Sequence, residues 1–348
     1  MSQDDIEYVG AIHAHSTYSD GGGTVDQVLS AAGETGIDFL ILTDHNTLDA
    51  REAGYERWHD DLLLIVGDEV SSRHGHCLAL GTDTHVNHRQ TASSVLSDIS
   101  SQSGDAYIAH PHGRYRPLLM LRDHSWKAWD AGTFTGIELW SYMFDWATTF
   151  HYSRFLGHYN DPDAQIRGPA PETIAKWDEL FQVRRVVALG GVDAHARKFP
   201  LLPIVVFPYR QSFQTVRTHI LCPTELTKTA EVDIATTLQT ISNGACFLCF
   251  DGLADGTGTR FGSTDGDLTM GEEAVYQDET ELGIKLPREA EISMIKDGRA
   301  VDKVTATEYT YRACDAGVYR VEARISGRPW LFTNPIYLRR SLVDEKDK

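Results

Sequence analysis

Two imidazoles one residue apart, His13 and His15, followed by the carboxylate of Asp20, begin a series of donors that runs far down the chain. His45, Glu69, His76, His110, Asp193 and His195 continue it. Singly, each has an ordinary explanation: a loop histidine, a surface acid, a strand terminator before Pro111. Together they are nine nitrogen and oxygen donors with no cysteine among them, a set suited to Zn²⁺, Mn²⁺ or Fe²⁺ rather than to a structural thiolate site. That is too many for one ion, and carboxylates bridge, so two or three divalent ions close together are expected. Ions ~4 Å apart activate water and clamp the attacked group in hydrolytic enzymes.

The elements that must carry these donors can be read in turn. Alternation along Tyr8 to Ile12 predicts a strand, with His13 and His15 on one face. Thr24 and Gln27 form a capping box, and Val25, Val28, Leu29 and Ala32 recur at helical spacing, with Gly36 as the stop. Phe39–Leu42 and Leu62–Val66 are continuous apolar runs, as strands buried on both faces require. They lead into Thr43-Asp44-His45-Asn46 and Gly67-Asp68-Glu69, with a helical stretch through about Trp58 between them.

Further strands are expected at Gly75–Leu80, Ala106–Ala109, Gly136–Trp140 and Val186–Leu189. A helix is expected around Ala92 to Ser101, and a long aromatic-rich helical region from Tyr142 to about Gln182. Apolar strands alternating with helices predict an α/β fold with a mostly parallel sheet. Polar residues after strand upon strand fit a (β/α) barrel better than a doubly wound sheet, whose polar residues collect at one switch point.

From Asp251 the texture changes to Gly, Asp and Thr, then to short alternating segments separated by Asp297-Gly298 and Ser326-Gly327. A small antiparallel β domain, sandwich-like, is expected over 251–340, after a barrel over 1–250. The formal charge of −18 argues against nucleic acid as partner but allows a small anion, because bound cations invert the local field. No apolar run is long enough to span a bilayer. The acidic N-terminus lacks a signal-peptide pattern, so a cytoplasmic protein is the expectation, with a homo-oligomer compatible. Cys246 and Cys249 form a C-x-x-C, but three residues apart on a strand they face opposite ways and read as reduced structural thiols.

The series His13-x-His15, Ser19-Asp20-Gly21, Thr43-Asp44-His45-Asn46, Glu69, His76-x-Leu-x-Leu-Gly, His110-Pro111 and Asp193-Ala194-His195 resembles the polymerase-and-histidinol-phosphatase (PHP) superfamily of metallohydrolases over about the first 200 residues. Gly327-Arg328-Pro329-Trp330 and Asn334-Pro335-Ile336-Tyr337 resemble a subgroup that includes carbamate-cleaving enzymes of the carbaryl-hydrolase type. The resemblance implies a distorted (β/α)₇ barrel with a trinuclear site. It implies one ion on His13, His15, Glu69 and Asp193, a second on Glu69, His76 and His110, and a third on Asp20, His45 and His195. All nine expected positions are filled, which argues against a non-catalytic accessory module.

The expected chemistry is hydrolysis by a metal-bridging hydroxide, with Glu69 bridging, the third ion stabilising developing charge, and His45 or His195 as candidate proton donors. Arg114 and Arg197-Lys198 could grip a phosphate beside the cluster. Glu138 could orient a ligand imidazole. His112, His74, His151 and His158 read as rim or supporting residues, and Trp126, Trp129, Trp140, Tyr142, Phe144 and Trp146 as helix core or the wall of an aromatic pocket. The leading expectation is a phosphoesterase acting on a small anionic phosphate ester; the alternative is an ester, carbamate or amide hydrolase using the same ions.

Overall fold

A computed structural model describes residues 5–113, 123–151, 153, 155–198, 205–278 and 280–341. The main strands are β1 (Ile6–Ala14), β2 (Phe39–Leu42), β3 (Leu62–Val66), β4 (Asp68–Ser72), β5 (Gly75–Leu80), β6 (Asp105–Ile108), β7 (Gly136–Ser141) and β8 (Val187–Gly191). They continue as β9 (Val216–Cys222), β10 (Cys246–Phe250), β11 (Arg260–Ser263), β12 (Glu281–Lys296), β13 (Arg299–Arg312), β14 (Gly317–Ile325), β15 (Arg328–Thr333) and β16 (Ile336–Arg339). The helices that matter here are α1 (Val25–Gly33), α2 (Ala92–Ser101), α3 (Tyr142–Thr149), α4 (Pro171–Phe181) and α5 (Ala230–Ser242). No described helix is long and apolar enough to cross a membrane.

The strands form two main sheets rather than one closed ladder. One contains β1, β2 and β3 in parallel, with β9, β10 and the C-terminal strands continuing antiparallel from β1. The other runs β4-β5-β6-β7-β8. The expected mostly parallel sheet is therefore confined to two blocks, β1-β2-β3 and β6-β7-β8. The reason is local: only Arg73 and His74 separate β4 from β5, and so short a connection can only make an antiparallel hairpin.

The two sheets meet along two seams. Val192 N donates to Ile12 O at 2.9 Å and His15 N to Ala194 O at 2.9 Å. At the other seam Glu69 N donates to Asp44 O and Asn46 N to Glu69 O, each at 3.2 Å. Both seams consist of the donor-bearing segments, so sheet assembly and site assembly are one event.

Helix α1 begins with the expected reciprocal cap: Gln27 N donates to Thr24 Oγ1 and Thr24 N to Gln27 Oε1. Two helical expectations are shortened. The stretch before Trp58 is one turn, Asp49–Glu52. The region from Tyr142 breaks into α3, Phe155–Asn160 and α4: Phe150 leaves the helix in an extended conformation, Pro162 and Pro169 interrupt the chain before α4, and Pro171 restarts it.

The C-terminal strands are antiparallel hairpins, as their alternation requires. Asp297-Gly298 (φ 49° and 77°) and Ser326-Gly327 (φ 51° and 77°) have both central residues left-handed, as two-residue type I′ turns demand. Strand β15 pairs with β10, so the ladder runs unbroken across Asp251. Cys246 and Cys249 do face opposite ways, each fully buried in a different part of the core.

A buried ionic network ties the first strand to the last third of the chain. His219 on β9 lies 2.8 Å from Glu7 Oε1 and 3.1 Å from Asp251 Oδ2, while Arg260 Nη1 donates to Glu7 Oε2 at 2.6 Å. Cys249 adds a third donor to His219 and Asp251, a grouping that could hold a metal, but these groups already satisfy one another. Burial opposes the His219 charge, yet Asp251 and Glu7 outweigh it and push its pKa up to about 9. A raised imidazole pKa stabilises the fold fully below its ordinary value near 6.5, and that stabilisation is lost as pH rises through about 9. His219→Leu, which leaves two buried carboxylates facing an apolar side chain, should cost about 3 kcal/mol and flatten the fall in Tm between pH 6.5 and 9.5. An unchanged Tm profile in thermal melts would show the network to be energetically idle.

Candidate metal centre

The site is built around Glu69, whose carboxylate is buried and ringed by imidazoles. His13 Nε2 (3.1 Å), His15 Nε2 (3.2 Å) and His45 Nδ1 (3.0 Å) surround Oε2; His76 Nδ1 (2.7 Å) and His110 Nε2 (3.1 Å) surround Oε1. Asp193 Oδ1 stands 3.6 Å from His13 Nε2, 3.3 Å from His15 Nε2 and 3.3 Å from His195 Nδ1. On the outer side, Asp20 Oδ1 lies 3.1 Å from His195 Nε2 and 3.7 Å from His45 Nε2. Donors from scattered segments thus lie around one centre.

Backbone strain accompanies the ligand positions. His13 (φ 71°), His110 (φ 28°) and Asp193 (φ 51°) are left-handed, a conformation costly for a side chain with a Cβ and concentrated at functional sites. At His13 the pairing with β2 slips: Ile12 opposes Ile41 and Ala14 opposes Leu42. This bulge corrects the expectation of simple strand alternation; His13 and His15 converge because the bulge re-aims His13.

Supporting residues fix the ligands. Glu138 on β7 accepts from His13 Nδ1 at 2.9 Å and from the His110 backbone N–H at 2.6 Å, which directs His13 Nε2 to the centre. Gly191 makes room for it, since a Cβ there would lie 1.8 Å from Glu138 Oε1. Asp44 accepts from Ser16 N at 2.7 Å and from the Ser16 hydroxyl at 2.6 Å, pinning the loop that carries Asp20. In that loop Gly21 is required, because a Cβ would meet His15 O at 2.3 Å. Ser71 Oγ lies 2.7 Å from His45 Nδ1.

Electrostatics divide the imidazoles into two kinds. For Glu69, burial alone would raise the pKa, but His45, His13 and His76 hold it well below the carboxylate range. Asp193 and Asp20 are likewise held low against burial, chiefly by His13 and by His195 respectively. Burial opposes charge on His13 and His15 too; Glu69 and Asp193 nonetheless raise His13 well above its ordinary value and His15 to about 9. His45 goes the other way: burial, with His15 and His76 nearby, pulls it to about 4, so it is neutral at pH 7 and unsuited to donate a proton.

The donor geometry fits divalent cations. Buried His13 Nε2, both His15 nitrogens, Glu69 Oε2 and Asp20 Oδ1 have no hydrogen-bond partner although opposite charges stand beside them. Two ligands ~2.1 Å from a tetrahedral ion are ~3.4 Å apart, and His13, His15, Glu69 and Asp193 are separated by 3.1, 3.6, 3.2 and 3.3 Å. The donors fall into overlapping groups that could each hold an ion: His15-Asp20-His45-His195, His13-His15-Asp193, His13-Glu69-His110 and His45-Glu69-His76.

Among the other candidates, Arg197 forms an ion pair with Asp20 Oδ2, and Arg114 lies outside the described residues. His112, His74 and His151 bond Thr173, Arg73 and Ser153, and His158 bonds Thr149 O. His124 was not legible beforehand: its Nδ1 lies 3.0 Å from His76 Nε2, and burial together with His76 and His110 lowers its pKa to about 4. It follows no strand and no motif, so only the folded chain brings it in. Trp126, Trp140, Tyr142, Phe144 and Trp146 are buried in the core.

No family model matches the chain, and no curated protein does. Among solved structures, the chain is similar to a two-domain protein containing a predicted PHP-like metal-dependent phosphoesterase from Bacteroides vulgatus, with 13% identity over 96% of each chain and a TM-score of 0.46. It is also similar to an amidohydrolase from Chromobacterium violaceum with bound sulfate and no metal, with 18% identity over 58% of this chain and 95% of that one and a TM-score of 0.35.

Proposed function

We propose that this chain is a metal-dependent hydrolase of the PHP kind, acting on a small phosphate ester with two to three divalent ions. The observation that carries this reading is the clustering of partnerless buried donors around Glu69 at separations close to those of shared ion ligands. When bound, such ions acidify water and polarise the attacked centre. The residues do the rest: Glu138 holds His13 in the tautomer that presents Nε2, Glu69 joins the inner donors, and neutral His45 faces Asp20 from the opposite side. The two hydrogen-bonded seams support reading residues 1–250 as a distorted barrel, and the antiparallel hairpins after Asp251 fit an appended β domain over 251–340. Manganese, iron and zinc all suit the donor set. Five unpaired thiols fit a reducing, cytoplasmic setting.

One observation keeps the ester, carbamate or amide reading in view: Arg197, the described guanidinium beside the cluster, is already paired with Asp20, so it is not free to grip a phosphate. A substrate panel separates the two. Protein loaded with Mn²⁺, Fe²⁺ or Zn²⁺ should turn over p-nitrophenyl phosphate or its bis-diester faster than 1-naphthyl acetate, and lose that activity on chelation and in His13→Ala. Faster turnover of the acetate selects the carbonyl reading, and activity surviving both treatments refutes a metal mechanism.

A further inference from the structure

A cavity of about 560 Å³, within the size range of small-molecule sites, lies beside the metal centre but is not part of it. Of the nine candidate ligands only His110 reaches its wall, next to the orienting Glu138. Trp140, Phe144 and Phe332 give it an apolar lining, and the C-terminal strands close it with Arg324 and Pro329. The first turn of α4 forms another side; its N-cap, Ala170, offers no capping side chain, and Glu172 in that turn offsets the positive end of the helix. Ser141 Oγ, on a lining residue only 7% exposed, and His110 Nδ1 both lack a hydrogen-bond partner.

The charges on the wall are not equally free. Glu138 is committed to His13 and His110, and Asp145 accepts from Trp140 Nε1, Arg167 N and Gly168 N at 2.8–3.1 Å. Glu172 is engaged as well. The two guanidiniums are the exception: Arg324 donates to Gly327 O and Arg167 to Ala164 O, and neither forms an ion pair among the described residues. Acids already bonded, cations unpaired and aromatic walls describe a receptor for one chemistry. We propose that this cavity binds a small organic anion with an aromatic or alicyclic body, its carboxylate at Arg324. The C-terminal strands thereby supply part of a ligand site, and because His110 and Glu138 form its inner wall, an occupant touches the residues that position the metal ligands.

The test uses 1-naphthoate as probe, with neutral 1-naphthalenemethanol as control, titrated against the metal-loaded full chain by calorimetry. Naphthoate should bind saturably and at least tenfold more tightly than the alcohol. Arg324→Gln should weaken binding tenfold or more, and Thr148→Trp, at an exposed position on the rim, should block it. Asp193→Asn, in the metal cluster and off the cavity wall, should leave the affinity within twofold. No saturable binding, equal affinity for the alcohol, or indifference to both cavity variants overturns the proposal. So does loss of binding in Asp193→Asn, which would put the probe on the metals. No turnover is read, so failure here and failure of the hydrolase reading are separate results.

Discussion

Glu69→Gln should lower kcat/KM by about a thousandfold, equivalent to about 4 kcal/mol of transition-state stabilisation, and remove at least one bound ion per chain. No other carboxylate in the site has five imidazoles within 3.2 Å, three on one oxygen and two on the other. It therefore belongs to two of the overlapping donor groups, and neutralising it weakens both. Glutamine keeps the volume and one oxygen but lacks the charge that holds the surrounding imidazoles in place. Elemental analysis beside steady-state kinetics distinguishes this from a fold defect. Full metal content with near-native kcat/KM would mean that Glu69 is a structural acid.

The second large effect is a divergence of two pH profiles. In the metal-free chain His15 titrates near 9 and His13 well above its ordinary value, so both are protonated at pH 7. Imidazoles bind metal only in their neutral form, and uptake therefore expels protons. Apparent affinity should rise with pH up to about 9, by about tenfold per pH unit for each proton expelled. Stability of the metal-free chain moves oppositely. The contribution of these raised imidazoles is complete below about 6.5 and lost as pH climbs through about 9. The depressed carboxylates Asp20, Glu69 and Asp193 contribute above their ordinary range near 4 and lose that contribution as pH falls through their lowered values. The Tm of loaded protein minus that of chelated protein should thus widen steadily from pH 6.5 to 9, a difference in which the His219 network cancels. A gap that is constant or narrows would show that metal does not displace protons from His13 and His15.

The ligand chemistry was legible because it is local. His13-x-His15 and Asp193-Ala194-His195 announce donors by residue type and spacing, and Phe39–Leu42 and Leu62–Val66 announce buried strands by composition alone. Most of what escaped was long-range. The bulge at His13 and the arrival of His124 at His76 depend on pairings between distant segments, whereas the β4–β5 hairpin is local, set by the two-residue connection Arg73-His74. The helical reading from Tyr142 overran because it passed through Pro162 and Pro169, which interrupt a helix. The pairing of Arg197 with Asp20 shows the same limit: a basic residue next to a ligand in sequence was free to turn to a different carboxylate. Glu138 could be suspected but not assigned, since its role depends on the glycine at 191 standing clear of it.

The central claim is that donors from seven segments of the chain share adjacent cations. Diffraction data collected above and below the manganese, iron and zinc absorption edges test it most directly. The account predicts at least two anomalous peaks, each within bonding distance of residues drawn from His13, His15, Asp20, His45, Glu69, His76, His110, Asp193 and His195, with Glu69 touching two of them. A metal-soaked crystal with no peak in this cluster, or with a single peak elsewhere, would contradict it.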